Sequence, residues 1–304
     1  MLKRKVVICF LVALVAVLGS ACQANPLNVI VNSNVPLELT SAKGLIGWDQ
    51  GNQGTIEAIG TGLPPANARS QAQAKLLARR AALIDAYRNL TEVINGVQVD
   101  SQTTIQNLEI TSDVVTTRVS GLIKGARIIK ELPQSDGSYI VVISVNMYGE
   151  NSVADIALNA VKPAQIMDFP QPSPSFVPAV DVQRSNLPSN AYTGVIIDAR
   201  GMGGESTFSP RIYDESGRIV YGNQYINIDF AISQGMVEYT RDGDMYTSAV
   251  QGKSRAGNRP LIIKALKVVD NSCNLVISNA DAENILSQNV VGNFLKNCAV
   301  VFAI

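Results

Sequence analysis

Residues 66–95 form a run of thirty positions with no proline or glycine, loaded with Ala, Leu, Arg and Gln. Few structures other than a long helix suit such a run, and Gly96 is its natural C-terminal stop. Before it, residues 55–62 read as a strand that ends at Gly62-Leu63-Pro64-Pro65. A long helix beside short strands predicts a two-layer α+β unit, one helix on a small sheet.

The helix has a readable face. At 100° per residue Leu76, Leu83, Tyr87, Leu90 and Ile94 share a stripe, with Leu77 and Ile84 on its shoulder. Arg80 falls inside that stripe close to Tyr87. Either its stem packs on the sheet while the guanidinium reaches outward, or the pair belongs to a subunit contact or a buried ion pair. Downstream, residues 97–110 read as extended, and Thr111-Ser112-Asp113 offers caps for a short helix through about Gly121. Residues 123–132 and 139–148 then read as a hairpin around Asp136-Gly137. Its second strand is apolar on both faces, Ile140 and Val142 one way, Val141, Ile143 and Val145 the other. One helix covers one face only, so the other is expected to meet another subunit or the second domain.

Composition narrows the chemistry. The 304 residues contain no histidine, which removes His-based triads, His-rich metal sites and histidine pH switches. Lys plus Arg equals Asp plus Glu at 25 each, so no charge excess points to nucleic acid. No metal spacing and no phosphate loop is present, and the reading is of a protein that is not an enzyme and needs no cofactor.

The N-terminus is an export signal. Lys3, Arg4 and Lys5 precede 13 apolar residues, 6–18, followed by small residues that suit a peptidase. Removing residues 1–21 leaves 22 cations against 25 anions, a net of −3. Leu18-Gly19-Ser20-Ala21-Cys22 resembles a lipoprotein box, with the departure that its leucine lies four rather than three positions before the cysteine. Lipidation of Cys22 therefore competes with soluble-type cleavage after Ala21 or Ala24. Asn25-Pro26 without an aspartate resembles an outer-membrane address. Residues 22–54 read as a tether with short strands.

Two segments carry a family resemblance. Ala78-Arg79-Arg80-Ala81-Ala82-Leu83-Ile84-Asp85-Ala86-Tyr87-Arg88-Asn89-Leu90, then Ile94-Asn95-Gly96-Val97, resembles the "LPP-twenty" envelope lipoprotein family, as do Gly121 to Ala126 and the closing strand. The resemblance covers residues 55–149. It implies a dodecin-like or SHS2-like α+β domain in the cell envelope, with no catalytic residues to carry over. The flagellar members, FlgP and the N-terminal part of FlgT, imply rings or disks around a motor, hence self-association and envelope or flagellar partners.

Residues 151–190 read as a linker, because six of the thirteen prolines fall between Pro163 and Pro188. A second, mixed α+β domain follows over residues 191–304. It starts with a strand at residues 192–199, and residues 209–221 form a hairpin. Residues 229–241 read as helix, 261–269 and 274–278 as strands, 280–287 as helix and 299–304 as a final strand. The stretch 193–214 resembles the C-terminal half of longer envelope proteins in the same family. Its glycine-rich turn, Asp198, Arg200, Gly201, Gly203 and Gly204, is a candidate polar pocket. No helix follows it as a phosphate loop needs, so it reads as a tight turn with an ion pair.

Two functions remain: a lipid-anchored, self-assembling envelope protein, or a periplasmic ligand-binding module using that turn. In the first, Cys273 and Cys298 are an even pair for a disulfide in an oxidising compartment, two buried free thiols being the other possibility. We predict that mass spectrometry of the mature protein finds an acylated Cys22 at its N-terminus; an unmodified N-terminus at Cys22 or Asn25 would refute this.

Overall fold

The computed structural model describes the backbone of residues 37–41 and 44–47, and residues 54–174, 191–241, 243–271 and 274–304. The signal, Cys22, most of the tether, the end of the proline-rich segment and Cys273 lie outside the described residues. Those from Leu37 onward belong to one compact unit.

Strands β1 (Leu37–Ser41), β2 (Gly44–Gly47), β3 (Thr55–Gly62), β4 (Arg127–Pro133) and β5 (Tyr139–Asn146) form an antiparallel sheet in the order β1-β2-β3-β5-β4. Helix α1 (Gln71–Asn95) lies on it. It starts later than the Pro- and Gly-free run, because the Ser70 hydroxyl accepts from the Gln73 amide at 3.1 Å and fixes the first turn there.

The buried residues of α1 are Ala78, Ala82, Ala86, Leu90 and Ile94. The leucine-rich stripe read from the sequence is therefore corrected: Leu90 and Ile94 are buried, Leu83 and Tyr87 half-buried, but Leu76 and Ile84 are 67% and 62% exposed. The reason is distance. A Cβ built on Gly60 would lie 2.1 Å from the Ala82 carbonyl oxygen and from the Ala86 nitrogen, and one on Gly62 2.0 Å from the Ala78 carbonyl. Helix backbone and strand backbone touch, so only alanine fits between them. The +4 spacing follows the inclined ridge of an α-helix, so the buried line winds round the helix and reaches Leu90 and Ile94.

Other elements follow from local chemistry. Residues 105–110, read as extended, are helical: α2 (Ile105–Thr111) is nucleated by a capping box between Thr104 and Asn107. After Ser112, α3 (Asp113–Lys124) runs through Gly121 to Gly125. The β4–β5 hairpin forms about Asp136-Gly137 as expected, but its first strand starts at Arg127 rather than at residue 123 because α3 runs on to Lys124; Gly137 has φ 86° and the Asp136 carboxylate accepts from the Ser138 amide and hydroxyl. Edge strand β4 is interrupted by a register shift at Ile129, which blunts it against edge-to-edge pairing. On the second face of the sheet Ile59, Val142 and Ser144 are buried, Ile140 and Leu132 half-buried, and Thr61 and Arg127 exposed.

The segment read as linker opens with a core helix. Ser152 caps α4 (Val153–Ala160), whose Val153, Ala154, Ile156, Ala157 and Leu158 are all buried. The prolines then lay the chain along the C-terminal region. The Met167 amide donates to Gln224, the Phe169 ring lies 5.0 Å from that of Tyr225, and the Ser173 amide donates to Glu283 at 2.6 Å. Glu283 also accepts from Arg218 at 2.7 Å, and Arg218 bonds the buried Asp214. Burial pushes the Asp214 carboxyl up, but hydrogen bonds from Ser216 and Arg218 outweigh it and hold it below the usual carboxylate range.

The C-terminal region has two sheets. β6 (Gly194–Asp198), β9 (Glu238–Thr240), β10 (Pro260–Lys264) and β13 (Val300–Ala303) form a parallel sheet in the order β10-β6-β13-β9. The unbroken apolar runs of β6 and β13 fit a sheet buried on both faces. β7 (Ile212–Asp214), β8 (Ile219–Tyr221), β11 (Lys267–Val269) and β12 (Asn274–Ile277) form a mixed sheet in the order β11-β12-β7-β8. The single strand expected at residues 261–269 splits at Ala265–Leu266 and serves both sheets. Helices α5 (Ile228–Gln234), α6 (Gly243–Val250) and α7 (Asn279–Gly292) complete the region.

The helix expected over residues 229–241 stops at Gly235, which has φ 79° and lies under the Tyr148 ring. That contact belongs to a joint between the two regions. Tyr148 meets Phe208 edge-on at 5.9 Å, and burial pushes its hydroxyl up to about 12. The Ser209 amide donates to the Val99 carbonyl at 2.8 Å, and that of Gly149 to Ile232 at 2.8 Å. One continuous hydrophobic core runs through both regions.

The close helix–strand contact predicts that Gly60→Ala destabilises the fold by about 3 kcal/mol, because two backbones must separate. Gly121→Ala, in α3 with open space around it, should be neutral or stabilising by up to about 1 kcal/mol. Urea unfolding of both variants checks the contrast; equal midpoints would contradict it.

Candidate functional site

The glycine-rich turn forms at the carboxyl end of β6, the end of a parallel sheet where ligands bind in open α/β folds. Gly201 and Gly203 adopt φ 76° and 72° in open space, so backbone conformation is what requires glycine there. Gly204 instead sits against Ile304, leaving no room for a side chain. The structure brings Asp198 and Arg200 together. The Asp198 carboxylate accepts from Arg200 Nε and Nη2, both at 2.8 Å, and from the Arg200 amide at 3.2 Å. Those guanidinium bonds hold its carboxyl below the usual carboxylate range. The guanidinium plane lies 3.5 Å above the Tyr246 ring of α6. Carboxylate and fork are thus spent on each other, and the outer face of the guanidinium on an aromatic ring. What the turn offers a ligand is little beyond glycine backbone.

Arg80 and Tyr87 fall on the other candidate surface. Arg80 is exposed on the outer face of α1, between Leu76 and Ile84 one turn away on either side, while Tyr87 is half-buried against the core. Arg80 thus neither snorkels from the sheet-facing side nor sits in a buried ion pair. The ion pair falls instead to the neighbouring Arg79, which forms a forked pair with Glu131 on β4, and Glu131 also accepts from the Tyr139 hydroxyl at 3.0 Å. The outer face of α1 is therefore basic and apolar together. The sequence pattern failed to find this because the leucines looked like the core and the alanines like filler.

Cys298 precedes β13 with φ 51°, an uncommon conformation for a residue with a side chain, and is a free, buried thiol. Burial pushes the thiol up, against a hydrogen bond with Tyr221, whose hydroxyl donates to the Met236 carbonyl at 2.5 Å. Arg255 reaches the same corner and donates to the carbonyls of Gln234, Gly235 and Cys298. With Cys273 outside the described residues, the expected Cys273–Cys298 pairing rests on the sequence. Among the described residues no cluster of three or more Cys, Asp or Glu could hold a metal ion, and no helix is long and apolar enough to cross a membrane.

Comparison with known families gives two matches. Residues 64–146 match the LPP20 lipoprotein family, and residues 194–304 match the second domain of Treponema pallidum Tp0624. The LPP20 match takes in α1, α2, α3, β4 and β5 and leaves out β1, β2 and β3, and the second match takes in the C-terminal region from β6 onward. Neither family description names a catalytic activity. No curated protein matches the chain.

A buried thiol whose ionisation is pushed up should be inert. In the chain from residue 22 carrying Cys22→Ser, Ellman's reagent at pH 8 is expected to leave Cys298 unmodified until denaturant is added. After unfolding without reductant, two reactive thiols would mean that Cys273 and Cys298 are unpaired. None would establish the disulfide.

Proposed function

We propose that this chain is an exported, lipid-anchored structural protein of the bacterial cell envelope that assembles through the outer face of α1. The observation that carries the reading is the LPP20 lipoprotein match over the domain whose long helix turns apolar side chains to solvent. Acylation of Cys22 would hold the mature protein on the periplasmic side, and the residues after it suit the inner leaflet of the outer membrane. The tether of residues 22–54 then separates anchor from fold.

The assembly surface differs from the one the strand pattern suggests. The centre of the sheet's second face is buried at Ile59, Val142 and Ser144, whereas Leu76, Leu77 and Ile84 surround Arg80 in solvent. Exposed apolar side chains in such a cluster favour association. Contacts that repeat head to tail close into rings, the arrangement that the flagellar members of the family imply. The absence of histidine and the self-paired Asp198 and Arg200 fit a scaffold better than a catalyst or a ligand receptor at that turn.

Sedimentation velocity of the chain from residue 22, with Cys22→Ser, tests the assembly. Species larger than a monomer are expected at micromolar concentration, and the double variant Leu76→Ser, Arg80→Glu should return them to monomer with an unchanged melting temperature. A monomer at high micromolar concentration, together with unaltered envelope morphology in a deletion strain, would overturn the scaffold reading.

A further inference from the structure

A groove of about 730 Å³ opens between α3, the start of β4, the end of β5 and the first turn of α4. Its volume falls in the range of small-molecule sites, and its make-up follows their pattern of an apolar floor with a few converging polar groups. Val145 and Ile156, both buried, form the floor beside Leu122. Gly121 and Gly125 keep the wall low, and a Cβ on Gly121 would meet no atom within 4 Å.

The polar groups divide into those that are spent and those that are open. Asp155 is spent. Its carboxylate accepts from the Asn151 amide at 3.2 Å and from Asn159 Nδ2 at 2.7 Å, and it sits in the first turn of α4, where the helix dipole favours a negative charge. Arg118 comes no nearer to it than 3.9 Å, a loose half-exposed pair that leaves the guanidinium donors unfilled. Arg127 donates to the neutral Asn146 Oδ1 at 3.0 Å and has no carboxylate within ion-pair distance among the described residues. The hydrogen bond to Asn146 orients its fork without neutralising it. Glu150 stands exposed at the rim, also without an ion-pair partner among the described residues.

Two under-used guanidiniums and a free carboxylate around an apolar floor complement one kind of small molecule. We propose that the groove binds an amino-acid- or peptide-like ligand, its carboxylate on Arg118 and Arg127 and its ammonium toward Glu150. Arginine forks match a carboxylate in two-point geometry, which a point charge does not reproduce. The site is separate from the α1 face and does not depend on the assembly described above.

Isothermal titration calorimetry on the chain from residue 22, with Cys22→Ser, tests this with the dipeptide glutamyl-lysine. Its fully amidated analogue and inorganic phosphate serve as comparison ligands. Saturable binding of the dipeptide is expected, at least tenfold weaker for the amidated analogue and for Arg127→Gln or Arg118→Gln. Glu150→Gln should weaken the dipeptide but leave phosphate unaffected. Gly121→Leu should abolish binding by filling the groove while the melting temperature is kept, and Arg69→Gln, away from the groove, should change nothing. No saturable binding of the dipeptide overturns the proposal. So does phosphate binding as tightly as the dipeptide, which would mark a general anion site, or retained binding in Gly121→Leu, which would place the ligand elsewhere.

Discussion

The direct contact of α1 with β3 sets the geometry of the first domain. Gly60 and Gly62 have no side chains, and Ala78, Ala82 and Ala86 have only methyls, so the two backbones meet at van der Waals distance. A helix held that close cannot place leucine against the strand. Its larger apolar residues are forced either to the far end of the helix, where Leu90 and Ile94 are buried, or to the outside, where Leu76 and Ile84 stand in solvent. The surface proposed for assembly is thus a consequence of the packing that makes the core tight.

Joining the two regions depends on a second set of backbone contacts. The loop around Val99 pairs with Ser209, the turn at Gly149 with Ile232, and Tyr148 fills the space that Gly235 leaves beside it. Between these runs α4, buried on nearly every side, and then the proline-rich strap fastened by Phe169 and by Ser173 on Glu283. With a continuous apolar core behind them, these contacts argue against two domains swinging on a free linker. They also build the groove, because the first turn of α4 supplies one of its walls and the LPP20-type sheet another.

In the C-terminal region, arrangement rather than residue type removes chemistry from the glycine-rich turn. A carboxylate and an arginine two residues apart at the end of a parallel strand look like recognition groups in sequence. In three dimensions the turn folds them onto one another, and Tyr246 covers the outer face of the guanidinium. At the groove the opposite holds: Arg118 and Arg127 are nine residues apart and carry no motif, yet α3 and β4 bring them to one rim.

Much of the scaffold was legible in the sequence because it rests on local chemistry. The Pro- and Gly-free run gave α1, Asp136-Gly137 gave the β4–β5 turn, and the continuous apolar runs gave β6 and β13. The absence of histidine, the signal-like N-terminal pattern and the family resemblance are likewise properties of the chain alone. Only the tertiary structure decided which face of α1 is buried, since alanine carries little hydrophobic signal and its burial depends on glycines across the interface. Gly235 ended a helix because Tyr148 needed its space, and residues 153–160 became core rather than linker because α5 and α3 stood ready to cover them. Each of these outcomes turns on atoms far apart in sequence, and such contacts leave no periodicity to read.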